Sequence, residues 1–183
     1  SGKTTARLEL AEPGVFRSKT AVPVGKDTVS RKAGGEAGYS VVADTRGTLL
    51  WKNDSEYDQP HIILTSRQVS REYLAYLDQR NISYIVTGEN CIDLAAACEI
   101  LGETFGIRRL GIVGGSAINT AFLDAGLLDE VIVLMGAGID GRAAYPTVFQ
   151  REDAASRGLT PLRLLEVKPY YDSGAVLIRC KTK

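Results

Sequence analysis

Between residues 61 and 135, short apolar runs alternate with segments of helical spacing, and this alternation constrains the fold more than any other feature of the chain. HIILT at 61–65, SYIVT at 83–87, LGIV at 110–113 and DEVIVLM at 129–135 are strand-length runs rich in β-branched residues. Between them, 70–80 places Tyr73, Leu74 and Leu77 at helical spacing. Asp93 can cap a second helix that runs to about Phe105, where Gly106 stops it, and a third helix is expected at 116–125. Strand–helix repetition of this kind means parallel strands with helices packed on both faces. Around this centre the sequence predicts a short helix near 4–11, a strand at 39–44 and a hairpin of strands 162–171 and 175–181 turning at Asp172-Ser173-Gly174. Residues 13–38 read as loop, broken by Pro13, Gly14, Pro23, Gly25, Gly34, Gly35 and Gly38. The expected fold is one α/β domain of three layers. It has a mixed, mostly parallel sheet, helices on both faces and a C-terminal antiparallel hairpin.

In such sheets ligands bind beyond the carboxyl ends of the strands. Three of those ends look alike: Thr65-Ser66-Arg67, Thr87-Gly88 and Gly114-Gly115-Ser116. A glycine pair lets an anion approach backbone N–H groups, and the helix starting at Ser116 presents free N–H donors with the positive end of its dipole. Together these make a phosphate site. Thr87 and Gly88 could serve an adenine or a ribose. Arg67 with two hydroxyls suits a phosphate anion, the 2′-phosphate of NADP among the candidates. Each end also has a plain structural reading: a tight turn at Gly114-Gly115, and a helix cap with a solvated charge at Ser66-Arg67. The coincidence of all three on one edge favours a nucleotide. Ser1-Gly2-Lys3-Thr4-Thr5 is like the last half of a phosphate loop but lacks the preceding strand and first glycine, so ATP hydrolysis is not expected. A glycine, a cation and two hydroxyls ahead of a helix still suit a pyrophosphate.

Composition narrows the partners. Lys plus Arg and Asp plus Glu both number 22, which argues against a nucleic-acid or anionic-membrane binder. No apolar run approaches the roughly 20 residues needed to cross a bilayer. Cys91, Cys98 and Cys180 have neither zinc nor CxxC spacing and read as reduced thiols of a cytoplasmic protein, and no metal is expected. His61, without an evident partner, reads as structural.

The run Val113-Gly114-Gly115-Ser116-Ala117-Ile118-Asn119, followed by Leu123-Asp124-Ala125-Gly126-Leu127-Leu128-Asp129-Glu130, resembles the pyrimidine reductase domain of riboflavin biosynthesis. That family shares the dihydrofolate reductase-like fold, and its signature is a glycine pair, a helix and "L-x-A-G-L-[LV]-D-E". Gly2-Lys3-Thr4-Thr5 is similar to the family's G-x-x-T, and Thr65-Ser66-Arg67 to its T-S-R strand end. The resemblance implies an NADPH-dependent oxidoreductase that reduces a small heterocyclic substrate at a CH–OH or CH–NH type group. It implies a homodimer as well. Gly2, Lys3, Thr4, Thr5, Gly114, Gly115, Ser116, Ala117, Ile118 and Asn119 would hold the cofactor phosphates. Ser66 and Arg67 would hold the 2′-phosphate, with Thr65, Thr87 and Gly88 completing the cofactor site.

Three departures qualify the substrate. The family's first strand and "S-x-D-G-K" segment are not seen before Gly2, so the chain is expected to lack its N-terminal strand and substrate segment. Val113 stands where those reductases carry a glutamate. Their "D-D-P-x-L-x-x-R" stretch is not reproduced. Glu9 falls near its first acid and is the candidate catalytic or substrate-binding acid, and Arg17 is the candidate for a substrate phosphate. Each also has a plain reading, Glu9 as a solvated helix residue and Arg17 as a surface charge. A dihydrofolate, pteridine or other small-molecule reductase of the same fold, and a non-catalytic NADPH-binding module, are the alternatives.

Overall fold

The computed structural model describes residues 1–32, 34–139, 141, 147–151 and 158–182. The elements in chain order are α1 (Lys3–Glu9), β1 (Thr28–Ser30), β2 (Ser40–Ala43), β3 (His61–Thr65), α2 (Arg71–Gln79), β4 (Ser83–Val86), α3 (Leu94–Glu103), α4 (Ser116–Asp124), β5 (Glu130–Met135), β6 (Leu162–Tyr170) and β7 (Ala175–Thr182). A four-stranded sheet has the order β1-β4-β3-β2, with β2, β3 and β4 parallel and β1 antiparallel to β4. A separate antiparallel sheet has the order β5-β7-β6. The fold class is the α/β arrangement expected from the alternation.

Every residue of β3 and β4 is buried, as a continuous β-branched run requires when both sheet faces are covered. The strand period of two then divides the core. Val42, Ile63, Tyr84 and Val86 face α1 and α2, where Ala6, Tyr73, Leu74 and Leu77 close one cluster around Trp51. Ile62, Leu64 and Ile85 face α3, where Ala97, Leu101 and Phe105 close the other. These clusters are the two interfaces of a three-layer domain.

Helix ends follow local chemistry. Ser70 caps α2 by accepting from Tyr73 N at 3.1 Å. Asn81, at φ 58°, ends α2 with Asn81 N donating to Asp78 O and Ile82 N to Leu77 O. This left-handed stop returns Ile82 to the core beside Leu77. Asp93 caps α3 through Ala96 N at 3.1 Å. Gly106, at φ 70°, makes the corresponding stop with Ile107 N donating to Leu101 O.

Four sequence expectations differ from what is observed. Residues 110–113 form no strand: the backbone bond Gly2 N to Gly114 O at 3.1 Å joins only the end of this segment to the sheet. A strand needs a ladder along its length. β5 belongs to the antiparallel sheet, not to the parallel run, because apolar periodicity does not encode a partner's direction. β7 is the centre of that sheet, between β5 and β6. The 13–38 stretch holds β1, too short to stand out among the breakers. His61 does have a partner: its Nδ1 lies 3.0 Å from Asp54 Oδ1, and its backbone N–H also donates to that carboxylate. Both side chains are buried, as a structural histidine would be.

Candidate functional site

Parallel β2, β3 and β4 all end on one edge, and the chain's expected ligand segments gather there. Ser1 continues the parallel order on the far side of β2. Its amine donates to Val41 O at 2.7 Å, and Ala43 N donates to Ser1 O at 3.0 Å. Gly2 then pairs with Ala43 in a parallel bridge and donates to Gly114 O at 3.1 Å. α1 and α4 therefore begin side by side, although their first residues are far apart in sequence.

Neither helix start has a side-chain cap: Gly2 and Gly115 are the cap residues, and glycine offers no acceptor. The first-turn N–H groups of Lys3, Thr4 and Thr5, and of Ser116, Ala117 and Ile118, are orphan donors of the kind that anions satisfy. A Cβ built on Gly114 or Gly115 would meet nothing within 4 Å, so open space adjoins the backbone there. A Cβ on Gly2 would come within 3.3 Å of Ile118 Cγ2, so that glycine permits the close approach of the two helices. The Gly114–Gly115 peptide is cis. Asn119, one turn into α4, donates from Nδ2 to Val148 O at 2.9 Å, and Ser116 Oγ lies 3.4 Å from Gln150 Oε1. Those side chains are engaged with the segment that crosses the helix start.

The second part of the edge is the end of β3. Thr65 and Ser66 are buried and spend both hydroxyls on one acceptor: Thr65 Oγ1 and Ser66 Oγ donate to Thr45 O at 3.0 and 2.9 Å. Thr87 is buried too, and its Oγ1 donates to Asp93 O at 3.1 Å. Thr65 and Ser66 thus fasten the end of β3 to the loop after β2, and Thr87 closes the loop after β4 onto the start of α3. Gly88, at φ 77°, lets the loop after β4 fold back: an added Cβ would lie 2.2 Å from Cys91 O. Arg67 is the cation of this edge. Its Nε and Nη2 donate to Asp27 Oδ1 and Oδ2 at 2.8 and 2.9 Å, and Nη1 donates to Glu89 Oε2 at 3.2 Å. The two carboxylates raise the guanidinium pKa above its ordinary value.

The structure thus brings together Gly2–Thr5 and Gly114–Asn119 at one point, with Thr65–Arg67 and Thr87–Gly88 further along the same edge. Glu9 is not among them. It is exposed at the far end of α1, about 9 Å along the helix from its start. Arg17 is exposed just before the 18–20 segment that Glu72 holds at the start of α2. Glu9 does line a cavity of about 520 Å³ with Ser1, Tyr39, Val41, Phe105 and Val113. Among the described residues, no group of three or more His, Cys, Asp and Glu could hold a metal ion. No described helix is long and apolar enough to cross a membrane.

Sequence reasoning missed Asp27, Glu89, Asp44 and Thr45. Glu89 follows Gly88 directly and was within reach of it. Asp27 had no signal, because only the antiparallel β1 carries it to this edge. Asp44 follows β2 and is wholly buried, and its carboxylate accepts from Thr48 N at 2.6 Å and Leu49 N at 2.8 Å. That fixes the loop whose Thr45 carbonyl holds Thr65 and Ser66.

Comparison with known proteins agrees with this architecture. The family model described as RibD C-terminal domain matches residues 15–176. A curated relative from Methanothermobacter thermautotrophicus, named 2,5-diamino-6-ribosylamino-4(3H)-pyrimidinone 5′-phosphate reductase, is 32% identical over 121 residues, 66% of this chain and 54% of the relative. This chain therefore spans about half the length of that relative. Among solved structures, Acinetobacter baumannii RibD superposes with a TM-score of 0.67 at 18% identity, covering 100% of this chain and 46% of the other. A pyrimidine reductase-like protein from Corynebacterium diphtheriae gives 0.62 at 17% identity, covering 80% and 61%. These two share the fold.

Proposed function

The chain belongs to the RibD C-terminal domain family, and we propose that it is an NADPH-dependent reductase of a small heterocyclic substrate, a phosphorylated pyrimidine like that in its relative's name. The observation that carries the cofactor reading is the meeting of two uncapped helix starts through Gly2 N and Gly114 O. Orphan N–H donors from both helices converge there beside glycines with open space, which suits a pyrophosphate. Lys3 adds a cation at the same point. Arg67, further along the edge, stands where a 2′-phosphate would be read.

When bound, such a cofactor supplies a hydride equivalent, and the substrate's C=N or C=O becomes CH–NH or CH–OH with one proton taken up. The chain's own residues bind, orient and neutralise. The two helix starts offset phosphate charge, and the buried hydroxyls of Thr65, Ser66 and Thr87 hold the strand-end loops at fixed spacing. Glu9 is the acid we assign to the substrate side, through the cavity it lines.

The exposed apolar side chains Leu162, Leu164 and Val167 along β6 support a homodimer, which light scattering tests.

The reductase reading is tested by titrating NADPH and NADH by fluorescence, then following cofactor oxidation with the riboflavin-pathway pyrimidine and with dihydrofolate. Arg67→Ala should weaken NADPH by roughly threefold and leave NADH nearly unchanged. Equal affinities, unaltered by the substitution, would rule out the 2′-phosphate assignment. Binding without turnover on both substrates would favour a nucleotide-binding module.

A further inference from the structure

The guanidinium of Arg67 has five N–H donors in a planar fork, and its most useful edge for a phosphate is the Nε–Nη2 pair. Asp27 already takes that edge, with both carboxylate oxygens at 2.8 and 2.9 Å. Glu89 takes Nη1 from the other side at 3.2 Å. The cluster is held by backbone on both flanks. β1 runs antiparallel to β4 with Thr28 opposite Val86, which puts Asp27 at the carboxyl edge. Gly25 N donates to Arg67 O at 3.1 Å, and Arg67 N donates to Gly88 O at 2.9 Å, next to Glu89. Arg67, Asp27 and Glu89 therefore meet through three neighbouring elements of the sheet, and all three side chains remain partly open to solvent.

We propose that Asp27, assisted by Glu89, is the specificity-determining residue for the cofactor's 2′ position. Its carboxylate competes with a 2′-phosphate for the same edge of Arg67. It also offers an acceptor to a 2′-hydroxyl, the role an acidic residue has in NAD sites. Arginine alone would select NADPH. Arginine clamped by two carboxylates makes the chain discriminate weakly and bind NADH alongside NADPH. This inference rests on the assignment of the nucleotide to this edge and goes beyond it, because it weakens the preference that Arg67 alone implies.

The test is a set of fluorescence titrations with NADPH and NADH on the 183-residue chain, its Asp27→Asn and Glu89→Gln variants, Arg67→Ala, and the double variant Asp27→Asn with Arg67→Ala. Asp27→Asn should tighten NADPH by about three- to tenfold and change NADH by less than about twofold, the scale expected for a partly exposed charge pair. Glu89→Gln should act in the same direction, more weakly. In the Arg67→Ala background the gain from Asp27→Asn should vanish, since the two residues act through one contact. If Arg67→Ala weakens NADPH while Asp27→Asn leaves the NADPH-to-NADH ratio unchanged, the competition is refuted and the cofactor assignment stands. If Asp27→Asn weakens both nucleotides, Asp27 positions Arg67 rather than competing for it, which also overturns the proposal. If Arg67→Ala changes neither nucleotide, the assignment of the edge fails and the proposal with it.

Discussion

Removing the Asp44 carboxylate is the sharpest available test of how the site's scaffold is held. Asp44 is fully buried. Its Oδ2 accepts from Thr48 N, Leu49 N and Tyr73 Oη at 2.6, 2.8 and 3.3 Å, and its Oδ1 accepts from Thr48 Oγ1 at 3.2 Å. Asp44→Ala leaves the Thr48 and Leu49 N–H groups without their acceptor. The phenol keeps Leu49 O at 3.0 Å and so contributes little to the loss. A buried donor left unpaired costs about 1–3 kcal/mol. Leu49 is buried and belongs at the upper end of that range, while Thr48 is half-buried and reachable by water. The expected loss is about 3–4 kcal/mol, a large fraction of a domain's 5–15 kcal/mol. Asp44→Asn keeps an oxygen for both N–H groups and should cost less than half as much. Urea titration followed by Trp51 fluorescence reads both variants, since Trp51 is buried and donates to Tyr73 Oη at 3.1 Å. A loss under about 1 kcal/mol for Asp44→Ala, or equal losses for the two variants, would refute the hydrogen-bond argument.

Two further predictions concern the loops of the same edge. Gly88→Ala forces a Cβ to within 2.2 Å of Cys91 O and 2.7 Å of Asp93 N at φ 77°, so it should cost at least about 2 kcal/mol and weaken NADPH; unchanged thermal melting would contradict this. Glu72 accepts from Ser18 Oγ, Lys19 N and Thr20 Oγ1, which lower its pKa from an ordinary 4.5 to about 2. A depressed carboxylate stabilises above its ordinary pKa, and that stabilisation is lost as pH falls from about 4.5 through about 2. The melting difference between the native chain and Glu72→Gln should therefore be constant above pH 5 and shrink below it. A difference that persists to pH 2 would show that Glu72 acts through packing instead.

Much of the fold was legible because it is written in local rules. The β3 segment was read to the residue from a buried apolar run, and Asp93 and Gly106 marked the ends of α3 as caps do. The partner of a strand is not a local property, which is why β5 read as parallel and residues 110–113 read as a strand. The site was legible to the level of its edge. Gly114 and Arg67 stood out by residue type and by position after expected strands, and Gly2 by its likeness to part of a phosphate loop. The direction of each polar group did not. Thr65 and Ser66 looked like phosphate ligands, yet their hydroxyls turn back to the Thr45 carbonyl. Asp27 lies far from Arg67 in the chain and meets it only because β1 pairs antiparallel with β4.

The single backbone bond between Gly2 and Gly114 closes one of the longest chain loops in the domain. Long loops close late, because their ordering entropy must be met before any contact rewards it. The two helix starts are thus a seam that opens when the domain opens, and the phosphate proposed to sit across them would act as a clasp. Nucleotide should then do more than bind. It should raise the melting temperature with the logarithm of its concentration, and it should slow cleavage of the chain in the long stretch between the two glycines.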